Sequence, residues 1–398
     1  MKNKSVLFFS SDDWSSGLKT SKYHMARCLA DDGYTVVYVN SIGLRTPTLN
    51  VRTASRIVSR LRSVFRGVTK VRDNVHVFTP FVVPFHKYRI INRLNRLLLV
   101  TSIRVLQWRM KLRDPELWVF LPNHAKLVGA FGERVALYYC VDEHTLFDGV
   151  DSKAMRSLEE ELIKKVDLVV ATARSLYESK GRQARRVVYL PHGVEVVHFR
   201  KALDPAMTIP EDMQSLAHPV VGFFGLIEEW IDLDMIAAAA RRHPEWSFVL
   251  LGKVAVDIGC FRDAKNMHFL GPRPFAMLPS YCKVFDCGIL PFKITDMTVH
   301  VNPLKMREYL AAGLPVISTD LPEVRAYSPT VRIARDSTEF CAQLENALQA
   351  NSDRHAISRS MDDEGWEARY RTLRTQIERI ILEKMESTRP TAVKADKE

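Results

Sequence analysis

Short apolar runs alternate with helical patterns along this chain, and this alternation constrains its fold more than any other feature. Runs typical of strands occupy 6–10 and 35–40, and segments of helical length and pattern separate them from later runs. Such alternation predicts a doubly wound α/β architecture. A polar, proline-bearing stretch interrupts the pattern at 192–218, and a second series begins at 220–224. Because 398 residues exceed the size at which one core usually keeps growing, we expect two Rossmann-like domains.

The predicted domain bounds follow from this interruption. We assign 1–200 to an N-terminal Rossmann-like domain and 215–365 to a C-terminal Rossmann-like domain. A helix at 366–386 is expected to cross back to the N-terminal domain, and 387–398 reads as a disordered tail.

Composition favours an ordinary globular protein of the cytoplasm. Hydrophobic residues make up 46% and charged residues 26%. No apolar run approaches the roughly 18 residues that a membrane span needs, and the first run is too short for a signal-peptide core. The six cysteines form no CxxC pair, so we interpret them as buried free thiols in a reducing compartment.

The charge is concentrated in one segment. Residues 33–113 contain sixteen Lys or Arg and a single acid, Asp73, although the whole chain has a net charge of only +11. Nucleic acid, an anionic membrane surface and an anionic substrate are all possible partners for such a segment. No zinc-ligand spacing or RNP-like aromatic run is present, so nucleic acid is not expected.

A helix predicted at 87–113 separates basic from apolar residues. At 100° per residue its basic side chains fall within about 80° of each other; they are Arg89, Arg93, Arg96, Arg104 and Lys111. The neighbouring sector holds Ile90, Ile91, Leu94, Leu97, Leu98, Val105 and Trp108. This pattern favours a helix lying on an anionic membrane, with 45–113 as the docking segment. The alternative is a domain helix whose apolar side faces the core and whose arginines face water.

The stretch 302–316 carries the most specific chemistry. Asn302 is a good N-cap and Pro303 suits a first helical turn. Lys305 and Glu308, three apart, share one face near the positive end of the helix dipole. A helix N-terminus with a lysine suits a diphosphate, and a carboxylate one turn later can accept hydrogen bonds from a ribose diol. The alternative is a surface ion pair.

This stretch resembles the nucleotide-sugar signature of GT-B-fold glycosyltransferases of the retaining family-four superfamily. The runs at 221–232, 270–274, 278–281 and 286–292 resemble the same superfamily, as do 138–144 and 190–195. The subgroup most similar is the hexosyltransferases of teichuronic-acid and exopolysaccharide assembly. The resemblance implies that the domain at 1–200 takes the acceptor and that the domain at 215–365 binds the nucleotide sugar. It implies that Glu308 binds the nucleotide ribose and that a UDP-linked hexose is the donor. It also implies retention of configuration, with neither a metal nor a cofactor besides the donor.

The chain departs from the superfamily pattern at several positions. His300 stands where the first of two glutamates is usual, and Gly17 is alone where a glycine pair is usual. The Arg and Lys that hold the diphosphate after the first strand of the C-terminal domain are absent, and 228–230 reads Glu-Glu-Trp. Lys305 is our candidate for the missing positive charge, with Arg273 as a second.

An acidic turn follows a predicted strand of the N-terminal domain. Asp142 aligns with a histidine that contacts the transferred sugar in the superfamily, and it lies where ligands bind parallel sheets. Its carboxylate can bind sugar hydroxyls or stabilise an oxocarbenium ion, although a helix-capping role is the alternative. Asp232 and Asp234 have DxD spacing but fit a helix start better than a metal site. His24 and His124 are weaker candidates.

We therefore predict a hexosyltransferase of cell-surface polysaccharide synthesis with a saccharide or lipid-linked acceptor, peripheral at the inner face of the membrane. The predicted catalytic residues are Asp142, Lys305 and Glu308. Candidate substrate-binding residues are Gly17, His24, Glu143, His144, Gly225, Trp230, Arg273, Phe292, His300, Asn302, Pro303 and Leu304. An epimerase of the same fold and a catalytically inactive membrane scaffold are the alternatives.

Overall fold

The structure is a computed structural model that describes residues 4–17, 19–41, 67–80, 89–147, 149–261 and 264–387. The predicted tail beyond 387 lies outside the described residues, as do 45–66 and 81–88 of the predicted docking segment.

The first half of the chain forms an eight-stranded sheet. Its strand order is β3-β4-β2-β1-β5-β6-β7-β8, and every neighbouring pair is parallel except β3 with β4. The central strands are buried along their whole length because helices cover both faces of the sheet. The elements in order are β1 (Ser5–Phe9), α1 (Ser21–Asp31), β2 (Thr35–Val39), β3 (Val68–Arg72), β4 (Val75–Phe78), α2 (Arg89–Met110), β5 (Glu116–Val119), β6 (Val135–Cys140), α3 (Ser152–Lys165), β7 (Leu168–Ala171), α4 (Arg174–Gly181) and β8 (Val187–Tyr189).

The second half forms a parallel six-stranded sheet of order β11-β10-β9-β12-β13-β14. Strand order reverses between β9 and β12, and ligands of such sheets bind at the carboxyl ends of the strands where the order reverses. The elements are α5 (Val196–Arg200), β9 (Val220–Phe224), α6 (Leu233–Arg242), β10 (Ser247–Leu251), β11 (Met267–Gly271), α7 (Leu278–Val284), β12 (Cys287–Leu290), α8 (Leu304–Ala311), β13 (Val316–Thr319), β14 (Val331–Ala334), α9 (Ser337–Gln349) and α10 (Arg354–Arg359). The predicted pair of doubly wound sheets is confirmed.

The last helix, α11 (Trp366–Ser387), packs on the first unit. The Trp366 ring stacks on His24 of α1 with the ring centroids 4.7 Å apart. Arg374 donates to the fully buried Glu116 carboxylate at 2.7 Å and to the Tyr34 hydroxyl at 2.6 Å. The C-terminal helix is thus held in the first unit by a ring stack and a buried ion pair.

One element was not predicted and one expectation is wrong. The sequence pattern predicts no strand over 45–72, yet β3 pairs antiparallel with β4 at the sheet edge. Four of the five β3 residues are exposed, and such an edge strand lacks the alternating apolar pattern by which strands are predicted. The cysteines were expected to be buried, and five of the six are, but Cys260 is exposed.

No helix among the described residues combines the length and apolar character that crossing a bilayer requires.

Arg374→Met is expected to lower the free energy of unfolding by about 3 kcal/mol, because it removes one of two ion-pair partners of a buried carboxylate. Arg134, 2.8 Å from Glu116, remains as the second partner. Denaturant unfolding monitored by circular dichroism measures the change. Arg371→Met, on the exposed face of the same helix, is the matched control and is expected to cost less than about 0.5 kcal/mol. Equal losses in the two variants would contradict a stabilising role for the ion pair.

Candidate functional site

Helix α8 begins at Leu304, with Pro303 in the N-cap position and no side-chain capping bond. The prediction that Asn302 caps this helix is therefore wrong. The buried Asn302 amide instead donates to the Thr172 carbonyl at 2.8 Å and to Glu323 at 2.7 Å. Its carbonyl accepts from Arg307 at 2.6 Å. These buried partners satisfy the asparagine better than the first turn of the helix would.

Lys305 lies at the carboxyl end of β9, where the strand order of the second sheet reverses, and Glu308 follows one turn later on α8. A Cβ atom at Gly225 would meet Lys305 Cε at 2.0 Å, so the lysine occupies the space that this glycine leaves open. Gly252 is needed as well, because its Cβ would lie 1.6 Å from the Gly225 carbonyl oxygen. The glycines that end β9 and β10 thus make room for an ammonium group at the expected ligand position.

The side chains of Lys305 and Glu308 have neither a hydrogen bond nor an ion pair within 4.0 Å among the residues that the structure describes. The surface ion pair considered as an alternative is therefore not formed. Burial raises the pKa of Glu308 to about 7, and the charge of Lys305 opposes that shift. Burial also lowers the pKa of Lys305, against the pull of Glu308. Two enclosed ionisable groups without partners are typical of a site that a ligand completes.

Other predicted residues of the second unit have partners within the protein. Arg273 donates to Tyr281 at 2.6 Å and to Asp212 at 2.7 Å, so its guanidinium is already engaged. His300 Nδ1 lies 2.8 Å from Ser175 Oγ of α4. Trp230 and the buried Phe292 lie at the carboxyl ends of β9 and β12, where Ile231 bridges to Phe292.

Sequence reasoning missed two exposed lysines at the same edge. Lys253 follows the Gly252 turn after β10, and Lys293 follows Phe292 after β12. Both come two or three residues after a strand end, which is the signal that could have found them. They supply positive charge where the superfamily pattern of Arg and Lys is absent.

In the first unit, Asp142 and Glu143 of the acidic turn after β6 have different surroundings. The Glu143 carboxylate caps the short turn 144–146 by accepting from the Thr145 amide at 3.4 Å. It also accepts from Thr145 Oγ1 at 2.7 Å and from Lys180 at 2.6 Å. The capping role considered for Asp142 is therefore wrong. The Asp142 carboxylate is half-buried at the carboxyl end of the strand and has no hydrogen bond among the described side chains. Asp142 thus keeps the position expected of a substrate contact.

The histidines of this edge are enclosed. His144 is 1% exposed, and neither of its ring nitrogens has a partner in the part of the chain that the structure describes. Burial lowers its pKa, and the charge of Asp142 opposes the shift. His24 is also buried, with Nδ1 2.9 Å from Glu195. Gly17 adopts a left-handed φ of +75°, which suits glycine in the turn before α1.

Two buried residues at this edge were missed by sequence reasoning. Lys22, in the first turn of α1, lies 3.6 Å from Asp12. His192 packs against Trp366 and has an unpartnered Nδ1 within the described structure. His192 lies in the run 190–195 that resembles the superfamily, which is the signal that could have found it.

The DxD spacing has a structural explanation. Asp232 caps α6 by accepting from the Met235 amide at 2.9 Å, as the sequence favoured. Across the described ranges, no cluster of three His, Cys, Asp or Glu side chains could hold a metal ion.

Helix α2 has two apolar faces, and the one singled out from the sequence is not the one that packs on the sheet. It packs on the first sheet through Leu99, Ile103 and Leu106. The predicted apolar sector lies on the other side and faces outward: Ile90 is 81% and Trp108 80% exposed. Leu94, Leu97, Leu98 and Val105 are exposed in the same sector, and Arg93, Arg96 and Arg104 flank it. Lys111, predicted to lie on this helix, follows its end with a left-handed φ of +54°. The side chain of Arg89 lies outside the described set.

The carboxyl ends of the two sheets face each other, because Asn302 before α8 contacts Thr172 after β7. Two such units define the GT-B class of fold. Among solved structures, sucrose-phosphate synthase from Thermosynechococcus elongatus is similar with a TM-score of 0.66 at 12% identity, over 96% of this chain and 100% of that one. The E. coli trehalose-6-phosphate structure bound with UDP-2-fluoro glucose has a TM-score of 0.65 at 11% identity, over 95% and 99% of the two chains.

Residues 218–350 match the family model described as "Glycosyl transferases group 1". The chain is also 26% identical over 287 residues to the Bacillus subtilis (strain 168) protein named "Putative teichuronic acid biosynthesis glycosyltransferase TuaH", covering 65% of this chain and 70% of that protein. The second unit thus carries a group 1 glycosyltransferase domain, and the chain is a glycosyltransferase of the GT-B type.

Glu308→Gln is expected to change the pH dependence of stability. Since the pKa of Glu308 is raised from 4.5 to about 7 in the folded protein, the native state holds this proton more tightly than the unfolded state. Stability therefore falls as pH rises from 4.5 to about 7 and levels off above that. The variant lacks this loss. Between about pH 5 and pH 8 we expect its stability relative to the wild type to rise by about 1–2 kcal/mol.

Denaturant unfolding across that pH range tests the expectation. Glu178→Gln, which changes an exposed glutamate on α4, is the matched control and is expected to follow the wild type. A Glu308→Gln variant whose profile parallels the wild type would place an ordinary carboxyl at this position.

Proposed function

We propose that this glycosyltransferase moves a hexose from a UDP-linked donor to a saccharide or lipid-linked acceptor in cell-surface polysaccharide synthesis. The observation that carries the proposal is the unpartnered pair of Lys305, beside Gly225 at the carboxyl end of β9, and Glu308, one turn later on α8. The names of the compared proteins support the finer assignment, since one belongs to teichuronic acid biosynthesis and another was solved with a UDP-sugar.

In this proposal the donor binds along α8. The amide groups of its first turn and the Lys305 ammonium neutralise charge that develops on the departing diphosphate. The Glu308 carboxylate accepts hydrogen bonds from the ribose diol, for which its ionised form is the better acceptor. Lys253 and Lys293 are close enough in the fold to add positive charge at the same edge.

The acceptor binds against the first unit. Asp142 faces the transferred sugar and stabilises positive charge that develops at the anomeric carbon. Retention of configuration and a reaction without a metal ion or further cofactor are part of the proposal, and they rest on the resemblance to the family-four superfamily.

Glu308→Ala is expected to weaken UDP binding by about 1.5–3 kcal/mol, because the ribose diol loses a charged acceptor. Lys305→Ala is expected to depress turnover more than affinity, since the lysine contacts charge that grows in the transition state. Titration with UDP and with UDP-hexoses, followed by turnover with and without added acceptor, measures both effects. Glu178→Ala on α4 is the control and should match the wild type.

Wild-type affinity for UDP in Glu308→Ala would remove this residue from the donor site. Epimerised donor formed without acceptor would favour an epimerase. Binding of no nucleotide sugar by the wild type would favour an inactive scaffold.

We further propose that α2 docks the enzyme on the cytoplasmic leaflet. Its outward apolar sector and the basic residues beside it match an anionic membrane in both polarity and charge. Attraction to such a leaflet contributes about 1 kcal/mol per basic residue near the surface. A lipid-linked acceptor would reach the first unit from the same side.

Arg93→Glu/Arg96→Glu is expected to abolish the part of vesicle binding that depends on anionic lipid. Trp108→Ala is expected to reduce the part that persists when salt shortens the Debye length to roughly 3 Å at 1 M. Co-sedimentation with vesicles of graded anionic-lipid content, beside an RNA competitor, measures both. Arg182→Glu/Arg185→Glu carries the same charge change on another exposed surface and is the control. If both double variants lose binding equally, attraction by net charge replaces docking through α2.

A further inference from the structure

A cluster of buried polar side chains joins the two units. We call it the interdomain cluster, and its members are Thr172 and Tyr189 of the first unit and Asn302, Arg307 and Glu323 of the second. All except Tyr189 are buried. The cluster lies between the carboxyl end of β7 and the start of α8, so it is contiguous with both predicted halves of the site.

Every polar group at the centre of this cluster has a partner. The Glu323 carboxylate accepts from the Arg174 amide at 2.6 Å, the Tyr189 hydroxyl at 2.7 Å and the Asn302 amide at 2.7 Å. Arg307, on the inward side of α8, donates to the Asn302 carbonyl at 2.6 Å and to the Tyr327 hydroxyl at 2.8 Å. A buried network that is fully satisfied permits one arrangement of its members, because any shift leaves a polar group without a partner.

The cluster continues to the acidic turn of the first unit. The Thr172 carbonyl accepts from Asn302, and the Thr172 hydroxyl lies 3.2 Å from the Val141 carbonyl, immediately before Asp142. On the other side, Asn302 lies three residues before Lys305. Two hydrogen bonds and a few covalent bonds therefore connect the residue proposed to face the sugar with the residues proposed to hold the nucleotide.

Stability alone does not account for this arrangement. Replacing buried polar groups with well-packed apolar residues is often neutral or stabilising, so such groups contribute mainly when they fix a geometry. Here the geometry that they fix is the position of α8 relative to the turn after β6. Transfer requires the sugar and the leaving diphosphate to be aligned within a fraction of an ångström.

We infer that Asn302 and Thr172 are positioning residues that hold Asp142 in register with the donor helix, and that they control turnover through this alignment. The inference rests on the proposed function for its kinetic consequence. Donor affinity depends on groups that lie entirely within the second unit, so we expect changes in the interdomain cluster to leave it unaltered.

Asn302→Leu tests the inference, because leucine has nearly the same volume and removes all three hydrogen bonds. The matched control is Asn266→Leu, whose amide donates to two backbone carbonyls, of Ala240 and His243, both within the second unit. For Asn302→Leu we expect UDP affinity within about threefold of the wild type and turnover reduced about 30-fold or more, consistent with ~2 kcal/mol of lost alignment. For Asn266→Leu we expect turnover within about threefold, whatever its thermal stability.

Thr172→Val removes only the hydroxyl and tests the contact of Thr172 with the Val141 carbonyl in the first unit. A loss of turnover in the same direction as Asn302→Leu, with UDP affinity retained, supports the inference. Equal behaviour of Asn302→Leu and Asn266→Leu would overturn it. Loss of UDP affinity in parallel with turnover would also overturn it, because the cluster would then only support the folding of α8.

Amide hydrogen exchange supplies a readout that does not depend on activity. In Asn302→Leu, peptides covering 138–147 should exchange about tenfold faster than in the wild type, whereas Asn266→Leu should leave them unchanged. Unchanged exchange there would overturn the positioning role even if the wild type proves inactive. If exchange is faster in Asn302→Leu and the wild type binds no nucleotide sugar, the positioning role is supported and the proposed function is rejected.

Discussion

The Glu323 carboxylate lies between the two units, and their relative position depends on it. A carboxylate buried without partners would be strongly unfavourable, so the surrounding donors have to remain in place. Those donors come from both units: the Arg174 amide and the Tyr189 hydroxyl from the first, and the Asn302 amide from the second. Each sheet forms its own core, and these contacts, with that of His300 to Ser175, fix the shape of the cleft between the sheets.

Polar groups at the cleft contrast with those of the interdomain cluster. In the cluster each buried donor meets an acceptor. Lys305 and Glu308 lie on α8, as does Arg307 of the cluster, but they have no partners among the described residues. Two glycines leave the space that Lys305 fills. A helix that is fully satisfied on one side and unsatisfied on the other is anchored in the protein and open to a ligand. This asymmetry supports the nucleotide side of the proposed site more strongly than the motif alone.

Much of the architecture could be predicted because parallel strands buried on both faces leave continuous apolar runs in the sequence. The motif around Glu308 also marked α8, where Lys305 and Glu308 have no partners among the described residues. The partners of Asn302 could not be predicted, since Thr172 and Glu323 are distant in the sequence and meet it only in the tertiary structure. For the same reason Arg273 looked available from the sequence, although Asp212 and Tyr281 engage it. The sequence indicated which polar residues were candidates for the site. Whether such a residue already has a hydrogen-bond partner depends on residues distant in the sequence, so only the tertiary structure shows it.

Helix α2 shows the same limit in another form. A helical wheel separates apolar from basic residues, but it does not say which apolar sector packs on the sheet. Helix α2 has two apolar sectors, and the one that contains Leu99, Ile103 and Leu106 is buried. The other presents Trp108 and several aliphatic side chains to the surroundings, with arginines beside them. Exposing that much apolar surface costs solubility unless something covers it. Covering by lipid requires no complementary shape, whereas a protein partner would, and the flanking positive charge favours an anionic leaflet as the surface that meets this face of the first unit.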